Sequence, residues 1–207
     1  MKSRSDSLIG RDEVLKSIVD YVEDPSRDVP LIILGEPGLG KTSIMAKATD
    51  KISAAISGGH LKLPSSSDQE WKIFYHFVGA TPSSTDLESL LKRFLRETNI
   101  FPSKSLPKDF ESVCHMVNGI LMNESSSPII LLIDAVNQLD EEKDQNLFTW
   151  LPKRLAPKIR VIMSMIDGSL PHLQLQKRER TCLEEFVKPL DSIDRAVIYL
   201  SFFNTKF

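Results

Sequence analysis

Unbroken apolar runs alternate along this chain with apolar stripes at helical spacing, and that alternation predicts its elements. Val14, Leu15, Ile18, Val19 and Val22 form a helical stripe that follows Gly10-Arg11 and ends near Asp24-Pro25. Val29 to Leu34 is a leucine-rich, β-branched run closed by a glycine- and proline-rich cluster, the pattern of a strand covered on both faces. Lys41 to about Ile56 then reads as helix, Gly58 to Glu70 as a surface loop and Lys72 to Val78 as a second strand. Two amphipathic helices follow. Asp86 to about Thr98 places Leu87, Leu90, Leu91, Phe94 and Leu95 on one face, and Asp109 to about Asn123 does the same with Phe110, Val113, Val117, Ile120 and Leu121. Phe101 to Pro107 separates them. After a loop over Glu124 to Pro128 comes the apolar run Ile129 to Ile133, ending in Asp134, which reads as a central strand. Glu141 to Trp150 is expected to be helical, Arg160 to Met165 and Cys182 to Val187 to be strands, and Asp191 to Phe203 to be a closing helix. Strand and helix alternate throughout, so the expected fold is α/β, a parallel β-sheet flanked by helices on both faces in three α/β/α layers.

Composition adds bounds more than content. The chain has 207 residues, enough for one full α/β domain and too few for two generous ones. Its apolar fraction of 41% and charged fraction of 26% are ordinary for a folded globular protein, which excludes a disordered or fibrous chain. A formal net charge of -2 gives no reason to expect a nucleic-acid or membrane partner, and no run approaches the roughly 18 apolar residues of a membrane span. The start MKSRSDSLIGRDEV is polar and lacks the apolar stretch of a signal peptide. Cys114 and Cys182 stand far apart with no CxxC spacing, which excludes a disulfide scaffold or zinc knuckle and points to a reducing, cytoplasmic location.

Gly35-Glu36-Pro37-Gly38-Leu39-Gly40-Lys41-Thr42 matches the phosphate-binding P-loop (Walker A) pattern GxxxxGK[ST] in full, between a buried-strand pattern and a helical one, where its mechanism requires it. Gly35 and Gly40 are expected to let the backbone turn and approach phosphates, while amides from Gly38 to Thr42 point into the hollow and meet the positive end of the following helix. Lys41 adds a full charge near the β and γ phosphates, the Thr42 hydroxyl ligates magnesium, and Ser43 serves the helix N-terminus and the α-phosphate. Such a loop needs a second magnesium anchor, an acid at the carboxyl end of a neighbouring strand. Asp134 is that candidate; without the P-loop it would read as a turn or cap aspartate.

With these motifs in hand, the sequence resembles the STAND class of P-loop NTPases, in particular the NACHT-like modules of nephrocystin-type and other tetratricopeptide-repeat proteins. The likeness rests on Leu8-Ile9-Gly10-Arg11-Asp12-Glu13, on the P-loop and on Leu131-Leu132-Ile133-Asp134-Ala135-Val136-Asn137-Gln138-Leu139-Asp140, with Phe74-Tyr75-His76-Phe77-Val78-Gly79 and Ser83-Ser84-Thr85 in support. It implies that Ile9, Gly10 and Arg11 lie against the base and ribose, the alternative being a capped surface helix, and that the ligand is ATP or ADP with Mg²⁺. It also implies that the chain is a single core over residues 1–207 lacking the helical and winged-helix subdomains that follow in such proteins. Protein partners would act through those lid or repeat regions, with oligomers forming on activation.

The departures bear on rate. Such proteins commonly carry an acid three residues beyond the magnesium aspartate; here that residue is Asn137, followed by Gln138. An amide can orient water but cannot accept its proton, and loss of a general base costs about 10²–10⁴ in rate, so slow hydrolysis is expected unless Asp140 or Glu141 substitutes. Ala135 also departs from the Asp-Glu pair of AAA+ ATPases. Val161 to Met165 resembles the sensor strand, but Ile166 stands near the place of the arginine that reaches the γ-phosphate, and Ser164 is expected to be a satisfied strand-end serine, the alternative being a contact with the phosphate or the water. His60, His76, His115 and His172 show no ligand spacing, and Lys177-Arg178-Glu179-Arg180 reads as a solvated loop. The functions left open are an ATP-binding molecular switch with weak magnesium-dependent ATPase activity, a non-hydrolysing scaffold stabilised by nucleotide, and a small-molecule phosphotransferase. The last needs an acceptor pocket and an arginine-rich lid that the sequence does not identify.

Overall fold

The computed structural model describes residues 9–59, 71–81, 84–98, 106–140, 146–179 and 182–203. Leu8, Ser83, residues 60–70 of the expected loop, residues 101–105 of the expected separator, the first half of the helix expected over 141–150, His60 and Arg180 lie outside them. The elements are α1 (Asp12–Glu23), β1 (Leu31–Leu34), α2 (Lys41–Ser57), β2 (Lys72–Phe77), α3 (Leu87–Glu97), α4 (Phe110–Met122), β3 (Ile129–Asp134), β4 (Ile159–Met165), α5 (Leu170–Gln176), β5 (Leu183–Phe186) and α6 (Ser192–Phe203), with a 3₁₀ turn over Val136–Gln138.

All strand pairings are parallel and the sheet order is β2-β3-β4-β1-β5. Alternate residues of β1 face opposite ways: Leu31 and Ile33 pack with Ile18, Val22, Ile44 and Ile52 of α1 and α2, while Ile32 and Leu34 pack with Leu91, Phe94, Val117 and Leu175 of α3, α4 and α5. A strand buried on both sides has no polar face to show, which is why β1 and β3 read as unbroken apolar runs. The three-layer α/β/α expectation is met.

Two helices are started, and a third is stopped, by side chains that meet their terminal backbone groups. Asp86 and Asp109 accept from the backbone N–H of Ser89 and Ser112 at 2.7 and 2.8 Å, capping α3 and α4. The C-terminus of α1 has no basic residue in its last turn; instead the fully buried Arg160 of β4 donates to the carbonyls of Tyr21, Val22 and Asp24 there and to Pro157 and Ile159 on its own side. A guanidinium supplies five donors in a fixed fork, and here carbonyl oxygens at the negative end of a helix dipole take the place of a carboxylate. Burial pulls its pKa below the ordinary value.

One expectation is corrected, and one helix was not anticipated. Residues 147–150 form a turn, not helix, because side chains take over their backbone donors: Gln174 Oε1 accepts from Leu147 N and Asn146 Oδ1 from Phe148 N. Leu170–Gln176 is a helix that the hydrophobic pattern does not announce, being short and carrying proline in its first turn.

Candidate functional site

The register of the sheet brings the carboxyl ends of its strands level. Phe77 pairs with Asp134, Ile133 with Met163, Ile33 with Ser164 and Leu34 with both Met165 and Phe186. Gly35 therefore leaves β1 on the same edge of the sheet as Asp134 leaves β3. The strand carrying Asp134 is not the neighbour of β1, as the sequence reading assumed, because β4 lies between them.

That insertion is chemically useful. Ser164 of β4 is fully buried, and its hydroxyl donates to Asp134 Oδ1, a carboxylate only 3% exposed. The Asp134 backbone carbonyl accepts from Val78 N at 2.5 Å. One carboxylate oxygen is thus fixed from within the sheet. The sequence reading treated Ser164 as a satisfied strand-end serine and missed its partner.

Between β1 and α2 the loop is shaped by two left-handed glycines, Gly38 at φ 80° and Gly40 at φ 85°. A side chain at either would meet nothing within 4 Å, so backbone conformation, not space, demands glycine there. Gly35 is different from what was expected: it is not in the left-handed region, and an added Cβ would sit 3.1 Å from the Val187 carbonyl and 3.2 Å from Val187 Cβ. It is glycine because the chain leaving β5 presses against it. Glu36, Pro37, Gly38, Thr42 and Ser43 are exposed, and Leu39 is half-buried.

The N-terminus of α2 contrasts with those of α3 and α4. Its N-cap, Gly40, offers no side-chain acceptor, and no acidic residue lies in its first turn. Its orphan amides therefore meet solvent without a competing carboxylate, the arrangement that suits an anion. Lys41 opens this helix but is 8% exposed, and its ammonium donates to the carbonyls of Gly35 at 2.7 Å and Glu36 at 2.9 Å. Burial lowers its pKa, while Asp134 and Glu36 oppose that shift through their charge. Lys41 and Asp134, 93 positions apart by their numbers, are thus brought within electrostatic reach of each other.

The remaining residues fall around this centre. Asn137 Oδ1 accepts from Ile166 N at 3.1 Å, so the amide that stands in place of the expected acid ties the 3₁₀ turn to the residue that follows β4. Asp140 accepts from Thr85 Oγ1 at 2.8 Å and its N–H donates to the Thr85 carbonyl, which staples it to the segment before α3. Two of the stretches that carried the resemblance meet here, since a Cβ on Gly79 would lie 2.9 Å from Gln138 Oε1. Arg11 is 7% exposed and directs its guanidinium to the carbonyls of Leu39 in the P-loop, at 2.8 Å, and Lys188 after β5, at 2.5 Å. Ile9 is half-buried and Gly10 exposed beside it. Among the described residues, no group of three or more His, Cys, Asp or Glu side chains could hold a metal, so a cation at this site would depend on the mixed Thr42 and Asp134 donor set. A hydroxyl and a fixed carboxylate are hard oxygen donors, which fit magnesium. No helix among the described residues is long and apolar enough to cross a membrane.

A parallel sheet with a phosphate loop at the tip of one strand and a buried acid at the tip of another defines a P-loop NTPase. Solved structures agree on the fold: the Aeropyrum pernix ORC1 protein, determined in complex with DNA, superposes with a TM-score of 0.60 over 96% of this chain and 50% of that one, at 13% identity. A family profile described as the AAA ATPase domain matches residues 7–164, and the chain belongs to that family, even though Ala135 follows Asp134. Among curated proteins it is 31% identical over 153 residues to the Homo sapiens NACHT and WD repeat domain-containing protein 2, covering 72% of this chain and 8% of that protein. It is 28% identical over 172 residues to the Rattus norvegicus Tetratricopeptide repeat protein 41, covering 75% and 12%. These relatives make it a NACHT-like P-loop NTPase module. The chain spans about a tenth of the length of either curated relative.

Proposed function

We propose that this chain binds ATP or ADP with Mg²⁺ as a STAND-type molecular switch that hydrolyses ATP slowly and uses nucleotide state to control assembly or access of protein partners. The observation that carries the reading is the uncapped, glycine-shaped N-terminus of α2, where buried Lys41 lies within electrostatic reach of buried Asp134. Membership of an ATPase domain family supports adenine as the base. Amides from Gly38 to Thr42 would bind phosphate oxygens, and the Lys41 ammonium would exchange the carbonyls of Gly35 and Glu36 for them. Thr42 and Asp134 would hold Mg²⁺, which supplies charge neutralisation on the phosphates. Ile9 and Gly10 would lie along the base and ribose, joined to the loop through Arg11.

Slowness follows from Asn137, whose carbonyl oxygen is committed to Ile166 N and which cannot take a proton from water. The same bond favours the second reading, a scaffold that holds nucleotide for stability alone. The DNA in the ORC1 complex belongs to that protein; at 13% identity the likeness carries only the fold, and the partners proposed for this chain are proteins in a cytoplasmic setting. Equilibrium titration with ATP, ADP and GTP, with and without Mg²⁺, combined with single-turnover phosphate release, tests the proposal. Binding of adenine nucleotides in preference to GTP with slow release supports the switch; tight binding with no release at all favours the scaffold; absence of binding sinks both.

A further inference from the structure

Two stretches far apart in sequence, Gly10-Arg11 and Val187 to Asp194, converge on one side of the P-loop. The chain leaving β5 enters first: Val187 N donates to the Leu34 carbonyl at 2.7 Å, and its carbonyl and Cβ fill the space a side chain on Gly35 would need. Arg11 follows, with one guanidinium nitrogen on the Leu39 carbonyl and another on the Lys188 carbonyl. Gly10, at φ 71°, comes last; a Cβ there would fall 2.1 Å from Asp194 Oδ2 and 2.8 Å from Leu190 Cδ2. Asp194 sits in the first turn of α6, its N–H held by the Asp191 carboxylate at 2.7 Å.

Burial lowers the pKa of the Arg11 guanidinium, and the charge of Asp194 opposes that shift. A planar fork with two separate carbonyl acceptors fixes both of them relative to each other, which a single-point cation does less well. Beyond this junction α6 is largely exposed; Ile193, Val197, Tyr199 and Leu200 all face solvent.

We propose that Arg11 is a positioning residue that buckles the P-loop to the segment leading into α6, so that phosphate binding at the loop is transmitted to residues 188–195. The inference rests on the nucleotide-binding reading above and assigns Arg11 a mechanical part in it. The Leu39 carbonyl belongs to the same loop whose amides turn toward phosphate. A change in loop pose therefore pulls on the guanidinium, and through it on Lys188 and the start of α6.

Hydrogen exchange of the 207-residue chain, with and without saturating Mg²⁺-ATP, tests this. In the wild type, nucleotide should slow exchange of amides 36–43 and of amides 188–195, each by about tenfold or more. In Arg11→Met at saturating nucleotide, slowing over 36–43 should persist while the response over 188–195 falls to less than twofold. A merely structural role for Arg11 would leave the nucleotide response of 188–195 in place on a shifted baseline. Should Arg11→Met not fold, Arg11→Lys, which keeps the charge without the fork, should lose at least half of the response on a logarithmic scale. An unchanged 188–195 response in the variant that folds, or a wild type in which only 36–43 responds, overturns the coupling and leaves the nucleotide reading standing. A wild type that responds at neither segment overturns both.

Discussion

Replacing Ser164 with alanine probes the proposed magnesium anchor without touching either proposed ligand. The hydroxyl is fully buried and donates to Asp134 Oδ1, so the substitution removes a bond to a charged acceptor and leaves that oxygen without its partner. Bonds of this type contribute about 1.5–3 kcal/mol, against about 0.5–1.5 kcal/mol for neutral pairs. At about 2–4 °C per kcal/mol for a chain of this size, Ser164→Ala should lower Tm by roughly 3–12 °C. Ser126→Ala supplies the control, because Ser126 is also buried but donates at 2.8 Å to the neutral carbonyl of Ile120. It should cost roughly 1–6 °C by the same conversion. The functional readout is the Mg²⁺ concentration needed for half-maximal ATP affinity, which should rise about tenfold in Ser164→Ala, since a tenfold change corresponds to about 1.4 kcal/mol of lost carboxylate positioning. Paired thermal denaturation and magnesium titrations read both quantities. Equal costs for the two serines, or an unchanged magnesium requirement in Ser164→Ala, would refute the argument that the hydroxyl positions Asp134 for a cation.

Lys41→Met should weaken Mg²⁺-ATP binding about a hundredfold by calorimetry, from two charge-assisted bonds of about 1.5 kcal/mol each; affinity within threefold of wild type would contradict the phosphate assignment. Asn137→Asp keeps an acceptor for Ile166 N and adds a proton acceptor, so nucleotide affinity should hold while single-turnover hydrolysis rises about 10²-fold. His76 is pulled below its ordinary pKa of 6.5 chiefly by burial, with Arg93 adding to the shift while the Ser84 carbonyl and Glu97 oppose it. The unfolded chain therefore binds more protons just below pH 6.5, and the stability present above that value is lost as pH falls toward the folded pKa, at up to about 1.4 kcal/mol per unit. His76→Gln should flatten that slope in denaturant titrations between pH 7 and 5.5; an identical slope would remove His76 as its source.

Much of this architecture is written locally. β1 and β3 are apolar without alternation because helices cover both faces, and the P-loop declares itself because phosphate binding restricts glycine, lysine and threonine to fixed spacings. Asp134 was legible as the polar residue ending such a run. What could not be read is the information that exists only after folding. Strand order is one case: nothing in Val161 to Met165 says that it inserts between β1 and β3, and with that order unknown the Ser164–Asp134 bond is invisible. Gly35 looked like a turn glycine, and its real constraint, Val187, is remote in sequence. The resemblance places Arg11 against the ligand, but it cannot show that the guanidinium bonds two carbonyls, one of them 177 residues away. Leu170–Gln176 escaped because seven residues give too little periodicity, although Ser169 with Pro171 was a usable start signal.

β4 serves both ends of the molecule. At its base Arg160 grips the last turn of α1, and four residues later, about 13 Å along an extended strand, Ser164 holds the acid that would anchor magnesium. Since α1 begins directly after Arg11, which bonds the Leu39 carbonyl of the P-loop, helix and strand run from that loop to a shared base and back to Asp134. A substitution at Arg160 would thus strip donors from the carbonyls at the end of α1 and loosen the strand that holds Ser164 against Asp134.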